Sequence, residues 1–546
     1  MIKRIFLYFY KLLKNKNSMN RINYLLIVLI FISNIVLSQS LETVMWGDKA
    51  ELTKKTSFQK IAGVNSDGFY AIRSNDASHI TKDKLWLEYI SLTTLNVDES
   101  NEITLPSIGG KQSYYENIFY VNNKIILFTS IEDKSRNQKI LYISYLNTNG
   151  TLKNKPKEIG TIPISNFPED GFEFDYLEDT KEIMVKYHKS FSQYNGEKYF
   201  IKIFDSNLKI NFSEEFVFPE EFMNRKAQII QVERGKSENI YFLIKEEQVT
   251  TRKNTSPKFD NVLLVYNFQK KEFKAYNIVV GKYFGKDLRF ALDKNETVII
   301  AGTFEAKSSR TPGLLGGLFY VKVNPMTEKI LVPANPKLSY YDFMRDRALL
   351  PSFKDPRTGE TGEQRNSFKI NSIEILENGG FVIVSELFYQ SFREFKDPET
   401  KEVIKVKYYN YLDFLLGFVD KEGKFKWVKR FPKMQFSTKD DGYFSSYAIW
   451  ANVNTVKLMY NDDPKNISNK NASKTKTVKF NPKTTPKATA IMHSIYTDGS
   501  EQKTTMFEGN DGKCAIVPRT FIHFADGFLI YTQSGKEFRF CQFDFE

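Results

Sequence analysis

The same short phrase recurs along the whole chain: an apolar strand end, a tight polar turn and a second apolar strand. Residues 375–386 (ILENGGFVIVSE) show the phrase most clearly. Asn, Asp and Gly at the turns supply the positive φ angles that tight β-hairpins need. The repeat therefore predicts an all-β chain built from one hairpin module. Seven further copies begin at Gly63, Tyr120, Tyr176, Val232, Ala291, Trp450 and His523.

The spacing of the copies predicts a β-propeller. The first apolar residues of their second strands lie 56, 58, 57, 58, 83, 75 and 72 residues apart. Most copies continue into two more strands, and four short strands in a unit of about 50 residues are typical of a propeller blade. We predict eight blades, with seven as the alternative, in a single domain over residues 39–546. The last unit has three strands, so we expect residues 40–48 to add its outer strand and close the ring.

Two other all-β architectures compete with the propeller. A membrane β-barrel needs strands of about ten residues that alternate apolar and polar side chains, whereas NIYFLI and NVLLVY are continuously apolar. Two packed β-sandwiches would not require a regular repeat. The repeat therefore favours the propeller over both.

Residues 1–38 predict a secretory signal peptide. A short basic start at Met19 is followed by an apolar run over 24–37, and we expect cleavage after Ser38. A membrane anchor is the alternative, but the run is shorter than the roughly 20 apolar residues that span a bilayer. Residues 1–18 either precede the true translation start at Met19 or form a long basic n-region of the signal peptide. We expect no transmembrane segment in the mature chain.

The net charge of +13 comes mostly from two segments. The predicted leader carries six Lys or Arg and no acid, which leaves +7 for the mature chain, and residues 464–487 contain seven lysines and no acid. A nucleic-acid-binding protein would spread basic side chains over a folded face. We therefore expect no nucleic-acid partner and interpret 464–487 as a solvated loop. Contact with an acidic partner or a lipid surface is the alternative.

Sequence motifs for catalysis or metal binding are missing. The four histidines lack metal-ligand spacing, and no HExxH, paired CxxC, Gly-x-Ser-x-Gly or phosphate-binding glycine motif is present. We predict no catalytic residue, no cofactor and no metal. Cys514 and Cys541 are the only cysteines. A disulfide between them and two buried thiols both fit an exported protein.

Three insertions interrupt the repeat, at 337–369, 387–412 and 464–487. The spacing in SYYDFMRDRALL predicts a short helix in the first, and dense aromatic residues predict a projecting β-arm in the second. A smaller loop, RTPGLLGG (310–317), places two leucines between glycines, where we expect exposure. We predict partner contacts in these segments; packing within the fold is the alternative. The candidate contact residues are Leu314, Leu315, Tyr341, Met344, Arg345, Arg347, Phe388, Tyr389, Phe392 and Tyr409.

Residues 413–466 contain a set of spaced elements: Gly423, Trp427, Pro432-Lys433-x-Gln435, Ser445-Ser446-Tyr447 and Tyr460-Asn461-Asp462. With these elements the segment resembles a recurring pattern in secreted propeller-like proteins of the Bacteroidota. The resemblance brings no catalytic residues. Cargo of the type 9 secretion system in these bacteria usually ends in a sorting domain, whereas this chain ends inside its last predicted blade. The resemblance therefore implies a periplasmic protein on the inner face of the outer membrane, with a role in protein transport.

These observations lead to three hypotheses about function. The first is a non-enzymatic interaction protein, an accessory or plug-like subunit that docks onto a large outer-membrane channel or secretion complex. The second is a propeller that binds a carbohydrate or another ligand. The third is a polysaccharide or peptide hydrolase, which would require carboxylates that converge on the propeller axis.

Overall fold

The fold is known from a computed structural model. Within the residues it describes, the regular secondary structure is almost entirely β-strand, with a one-turn 3₁₀-helix at Pro464–Asn466. No helix in these ranges is long and apolar enough to cross a membrane. The described residues are 43–53, 56–75, 84–164, 171–189, 198–218, 227–248, 258–281, 283–305, 315–333, 339–343, 352–354, 361–363, 368–396, 402–438, 440–469, 474–480, 488–507, 514–524 and 526–545.

Consecutive strands form antiparallel sheets in the first half of the chain. Two short strands, β1 (Thr43–Trp46) and β2 (Ala50–Glu51), come first and pair with the end of the chain. The first sheet contains β3 (Ser57–Val64), β4 (Gly68–Ser74), β5 (Leu85–Ser91) and β6 (Val97–Glu102). A small hairpin of β7 (Ser107–Ile108) and β8 (Lys111–Gln112) follows.

The next three sheets repeat the same order. The second contains β9 (Tyr114–Val121), β10 (Lys124–Asp133), β11 (Gln138–Leu146) and β12 (Lys157–Pro163). The third contains β13 (Glu173–Leu177), β14 (Glu182–Lys189), β15 (Lys198–Phe204) and β16 (Ile210–Val217). The fourth contains β17 (Ala227–Arg234), β18 (Ile240–Gln248), β19 (Lys258–Asn267) and β20 (Glu272–Asn277).

Additional strands enlarge the fifth and sixth sheets. The fifth contains β21 (Phe284–Leu292), β22 (Val298–Glu305), β23 (Leu315–Asn324) and β24 (Lys329–Val332), with β25 (Tyr340–Asp342) added to β23. A hairpin of β26 (Ser352–Lys354) and β27 (Thr361–Glu363) follows. The sixth contains β28 (Phe368–Ile375), β29 (Phe381–Lys396), β30 (Val403–Val419), β31 (Phe425–Phe431) and β32 (Gln435–Thr438).

The last two sheets bring the chain back to its start. The seventh contains β33 (Ala448–Ala451), β34 (Thr455–Asp462), β36 (Thr489–Tyr496) and β37 (Glu501–Thr505), while β35 (Val478–Phe480) runs parallel to β32 of the sixth sheet. The last contains β38 (Ala515–Phe524), β39 (Gly527–Ser534) and β40 (Glu537–Asp544). β1 pairs antiparallel with β40, so that Trp46 lies opposite Cys541.

Burial changes in a regular way across each sheet. Second strands such as β4, β22 and β34 are buried along their whole length, as expected for apolar strands covered on both faces. Fourth strands such as β6 and β37 are mostly exposed. First strands contact the first strands of neighbouring sheets, for example β3 with β9 and β38, and β21 with β17 and β28. The first strands therefore lie at the centre and the fourth strands at the rim.

Hydrophobic clusters join each sheet to the next. Among the described residues, eight sheets contain four or more strands, and eight buried clusters each combine residues of two successive sheets. The cluster between the last sheet and the first packs the Phe58 ring 4.9 Å from that of Tyr531 and 5.2 Å from that of Phe540. Packing against two neighbours in a closed ring defines a β-propeller, which confirms the predicted fold class.

The helix predicted within 337–369 is wrong where the structure describes this segment. Tyr340–Asp342 is strand β25, and Tyr341 pairs with Leu318 of β23. Gly317 permits this pairing, because a Cβ at this position would overlap the carbonyl oxygen of Tyr341. Phe343 then packs, fully buried, in the cluster between the fifth and sixth sheets. Sheet pairing and burial therefore override the local helical spacing.

The two cysteines are both present as buried thiols, with no disulfide between them. They share the cluster between the seventh and last sheets. The Cys541 thiol lies 3.7 Å from the carbonyl oxygen of Ile530, and burial raises its pKa well above the usual range.

Candidate functional site

The hairpin of β29 and β30, the two longest strands among the described residues, extends beyond β28 and β31 of the sixth sheet. β32 pairs with β30 only at Tyr408–Tyr411. β28 pairs with β29 as far as Leu387, and β31 pairs with β30 from Phe414 onwards. After an irregularity in the register between Glu386 and Phe388, β29 continues to pair with β30 as far as Lys396 opposite Val403. We call the paired segments 388–396 and 403–411 the arm.

The outer part of the arm carries exposed apolar side chains on both of its faces. Phe395 lies directly opposite Ile404, whereas Phe392 and Val403 occupy alternate positions and so point to the other face. All four side chains are exposed, with 54% for Phe392 and 44% for Phe395. Among the residues with described side chains, these are the two exposed phenylalanines. The Nζ of Lys405 lies 4.9 Å from the centre of the Phe392 ring.

The structure distributes the predicted contact residues unevenly. Phe392 is exposed, while Phe388, Tyr389 and Tyr341 are half-buried. Tyr409 is buried, and the nearby Asp441 and Asp440 carboxylates add to the effect of burial in raising its pKa. The predicted exposure of Leu315 is wrong, because this residue begins β23 and packs inside the cluster between the fifth and sixth sheets. Four candidates lie outside the described residues: Leu314, Met344, Arg345 and Arg347.

A buried ion pair lies at the base of the arm. Glu386 of β29 accepts from the ammonium group of Lys433, and both side chains are almost completely buried. The Lys433 Nζ also donates to Gln435 Oε1 at 2.8 Å, and the Ser446 hydroxyl donates to Glu386 Oε2 at 2.7 Å. Burial lowers the pKa of Lys433, and the Glu386 carboxylate opposes this shift.

Further hydrogen bonds connect this ion pair to the seventh and last sheets. Gln435 Nε2 donates to the carbonyl oxygen of Asn461 at 2.8 Å. The Asn461 amide group donates to the carbonyl oxygens of Phe444 and Ile516 at 2.8 Å each and accepts from the Ile516 N–H at 2.9 Å. We call Glu386, Lys433, Gln435, Ser446 and Asn461 the base network. It joins three consecutive sheets.

The base network brings together several residues of the segment 413–466. Lys433, Gln435, Ser446 and Asn461 lie within 29 residues of the chain and contact one another directly or through one partner. Trp427 Nε1 donates to the carbonyl oxygen of Thr497 at 3.0 Å, which joins the sixth sheet to the seventh. These elements therefore hold sheets together.

Two carboxylates beside the base network have raised pKa values. Burial raises the pKa of Asp462 to about 6, although its Oδ1 accepts from Asn466 Nδ2 at 2.7 Å. Burial also raises the pKa of Asp440 to about 6. Asp462 ends β34, and Asp440 belongs to the turn that covers Tyr409. Both carboxyl groups therefore release their protons at a higher pH than ordinary aspartates do.

A second candidate site is a cavity near the propeller axis. It has a volume of about 690 Å³ and lies between β13 and β17, with Arg289 of β21 on one wall. The Lys186 Nζ lies 2.7 Å from Asp175 Oδ2 and 3.3 Å from Glu173 Oε2. Burial raises the pKa of Glu233, and the Asp175 carboxylate raises it further. We call this space the axial cavity.

The described residues contain no group of three or more His, Cys, Asp or Glu side chains arranged to hold a metal ion. The charged side chains that line the axial cavity include two carboxylates on β13, one on β17, a lysine on β14 and Arg289 of β21. This wall offers hydrogen-bond donors and acceptors to a ligand.

Sequence reasoning missed both the base network and the axial cavity. One signal for the first was available: Glu386 is the lone acid in the apolar run FVIVSELFY, and a charge inside a strand buried on both faces needs a partner. The axial cavity left no comparable signal, because its polar residues alternate with apolar residues as they do on any half-exposed strand.

No protein-family model matches the sequence, and no curated protein matches it. Comparison with solved structures finds several propeller-containing proteins. An α-L-arabinanase of Penicillium chrysogenum, complexed with arabinobiose, is 10% identical, covers 63% of this chain and 92% of its own, and has a TM-score of 0.31. The WD40 domain of SCAP from fission yeast is 10% identical, covers 91% and 98%, and has a TM-score of 0.36.

Prolyl oligopeptidase B of Galerina marginata, bound to a 35mer hydrolysis and macrocyclization substrate, is 8% identical with a TM-score of 0.36. The match covers 88% of this chain but only 55% of the oligopeptidase, so this chain spans about half of that protein. TM-scores this low support no conclusion about the activity of this chain.

Proposed function

We propose that the protein is a non-enzymatic, periplasmic interaction protein that docks through its arm onto a large outer-membrane channel or secretion complex. The observation that carries the proposal is the exposure of Phe392, Phe395, Val403 and Ile404 at the outer part of the arm. Exposed aromatic side chains of this kind are enriched at protein interfaces.

The geometry of the arm favours a partner that surrounds it. Apolar side chains project from both faces of a two-stranded ribbon, so a flat partner surface would cover only half of them. A two-stranded hairpin is marginally stable on its own in water. A groove or pore lining that encloses the ribbon would bury both faces and stabilise the pairing.

The base network supports the same proposal. It fixes the point at which β29 extends beyond β28, by bonding Glu386 to Lys433, between β31 and β32, and to Ser446, just before the seventh sheet. An arm with a fixed direction loses little conformational freedom on binding, which favours affinity. The resemblance of residues 413–466 to Bacteroidota propeller-like proteins supports the choice of compartment and partner class.

We also propose that the propeller has eight blades. Each sheet with four or more strands corresponds to one of the eight sequence repeats, and each successive pair encloses one of the eight clusters. A broad, rigid disc of this size suits an accessory or plug-like subunit at a large channel.

Affinity purification from gently solubilised envelopes tests the docking proposal. The tagged wild-type protein should co-purify with a stoichiometric outer-membrane protein. The variant Phe392→Ser, Phe395→Ser should recover about tenfold less of that partner, or even less. The reason is that each lost aromatic anchor weakens binding by about 1 kcal/mol or more. A matched control, Val279→Ser with Met326→Ser, removes two exposed apolar side chains elsewhere and should retain the partner.

The melting temperatures of the three proteins should agree within about 3 °C, since surface substitutions change stability little. A wild-type protein that elutes alone would refute the docking proposal. Equal recovery of the partner by the arm variant and the control would show that another surface is used.

A further inference from the structure

We propose that the axial cavity is a binding site for an uncharged, hydroxyl-rich ligand such as an oligosaccharide of a few rings. The site is separate from the arm and does not depend on the docking proposal. Its elements are the first strands of the third and fourth sheets, β13 and β17, with Arg289 of the fifth.

Position and size favour a ligand site. First strands lie at the centre of the ring, where loops and strands of several sheets meet around one axis. The volume of about 690 Å³ falls within the range of about 300 to 1,000 Å³ that is common for small-molecule sites. A ligand of a few sugar rings fits this space.

The wall of the axial cavity contains carboxylate oxygens that can accept further hydrogen bonds. The side chains of Glu173 and Asp175 are 63% and 43% exposed, although both also contact Lys186. A carboxylate has about four lone-pair directions, so one shared ammonium group leaves acceptor positions for ligand hydroxyls. Glu233 adds a third carboxylate, which accepts from the amide of Gln231.

Hydrogen-bond donors also line the axial cavity. Arg289 is exposed, and its Nε donates to the carbonyl oxygen of Ile370 at 3.3 Å. A guanidinium group carries five N–H donors, so further donors remain for a ligand. The half-buried Tyr176 also lines the cavity and offers an aromatic face for the apolar side of a sugar ring.

The charge balance argues for an uncharged ligand. Lys186 is paired with Asp175 at 2.7 Å, Arg234 with Glu182 at 2.6 Å and Lys236 with Asp179 at 3.3 Å. A charged group on the ligand would compete with the member of a pair that carries the same charge. A hydroxyl group can donate one hydrogen bond and accept another. A sugar can therefore bond to both the acidic and the basic side chains without breaking these ion pairs.

A glycan array followed by calorimetry tests the inference. The wild-type protein should retain at least one class of glycan, and titration with that glycan gives its Kd. The variant Glu173→Gln, Arg289→Gln keeps the net charge and should raise the Kd at least tenfold. A matched control, Arg136→Gln with Glu537→Gln, removes one exposed charge of each sign elsewhere and should leave the Kd unchanged.

Melting temperatures identify a variant that fails to fold; in that case the single variant Glu173→Gln, at an exposed side chain, replaces the double variant. Retention of no glycan by the wild-type protein would overturn the inference. A cavity variant that binds like the control would also overturn it, because the ligand would then lie elsewhere. The arm variant Phe392→Ser, Phe395→Ser should keep its glycan binding, which separates this inference from the docking proposal.

Discussion

The ammonium group of Lys433 and the carboxylate of Glu386 form an ion pair although their side chains are only 0% and 2% exposed. Removing two charges from water is costly, and a buried pair is often no more stabilising than apolar residues of the same volume. The pair lies where β29 continues into the arm. Glu386 and Lys433 are 47 residues apart along the chain. We therefore expect the pair to contribute mainly to the geometry of the arm base, because a buried charge must keep its partner.

Replacement of Lys433 by methionine should destabilise the protein by about 3 to 5 kcal/mol, because Glu386 would remain buried without its cation. Urea-induced unfolding, followed by tryptophan fluorescence, measures this change. The double variant Lys433→Met, Glu386→Leu should recover most of the loss. At the exposed pair of Lys84 and Glu102, Lys84→Met should cost less than about 1 kcal/mol. Equal losses at the two sites would contradict this account of the base network.

Asp462 should make stability depend on pH between about 4 and 6. Burial raises its pKa from 3.8 to about 6, so the folded protein binds the proton more tightly than the unfolded chain does. The stabilisation is complete below the unfolded pKa and is lost as pH rises through the folded pKa. Relative to Asp462→Asn, the wild-type unfolding free energy should therefore fall by up to about 3 kcal/mol over this interval.

Urea unfolding of both proteins at several pH values measures this difference. The exposed Asp179 provides the control, because Asp179→Asn should leave the pH dependence of the wild type almost unchanged. A constant difference between wild type and Asp462→Asn from pH 4 to pH 7 would show that Asp462 titrates normally in the folded state.

Gly317 should not tolerate a side chain, since a Cβ there would meet the carbonyl oxygen of Tyr341 and lie 2.8 Å from the ring of Phe304. We expect Gly317→Ala to cost about 3 kcal/mol, because β25 must move away from β23. Gly171 has open space around its Cβ position, and Gly171→Ala should stay within about 0.5 kcal/mol of the wild type. Thermal unfolding compares the two. Hydrogen exchange should also accelerate at the Phe343 N–H, which donates to the Gly316 carbonyl oxygen at 2.8 Å.

Trp46 should contribute to the contact between the two ends of the chain. Its ring lies 3.6 Å from the guanidinium of Arg539 and 4.7 Å from the ring of Phe507. Because the side chain is half-buried, Trp46→Ala should cost about 2 kcal/mol, less than at a fully buried position. The neighbouring Met45 is exposed, so Met45→Ala should change the free energy of unfolding by less than about 0.5 kcal/mol. Similar effects of the two substitutions would argue against a closing role for β1.

Much of the fold was accessible from local sequence, because the hairpins are determined by residues close in the chain. At Asn378, the side-chain oxygen accepts from the Gly380 N–H at 2.9 Å, and Gly379 has a φ of 88°. These interactions depend on three adjacent residues, so the turn appears in the sequence as Asn-Gly-Gly. The continuous burial of β22 and β34 likewise corresponds to continuous apolar runs.

Local sequence was sufficient to predict the all-β class, the repeated hairpins and the propeller, since each depends on short-range turn chemistry and on strand hydrophobicity. The three-dimensional structure was needed to show that Tyr340–Asp342 is a strand and that Leu315 and Tyr409 are buried. It was also needed to show that Glu386 contacts Lys433 and that Glu173, Asp175 and Glu233 line one cavity. These features arise from contacts between residues far apart in the chain, where the free energy of pairing and burial outweighs local preference.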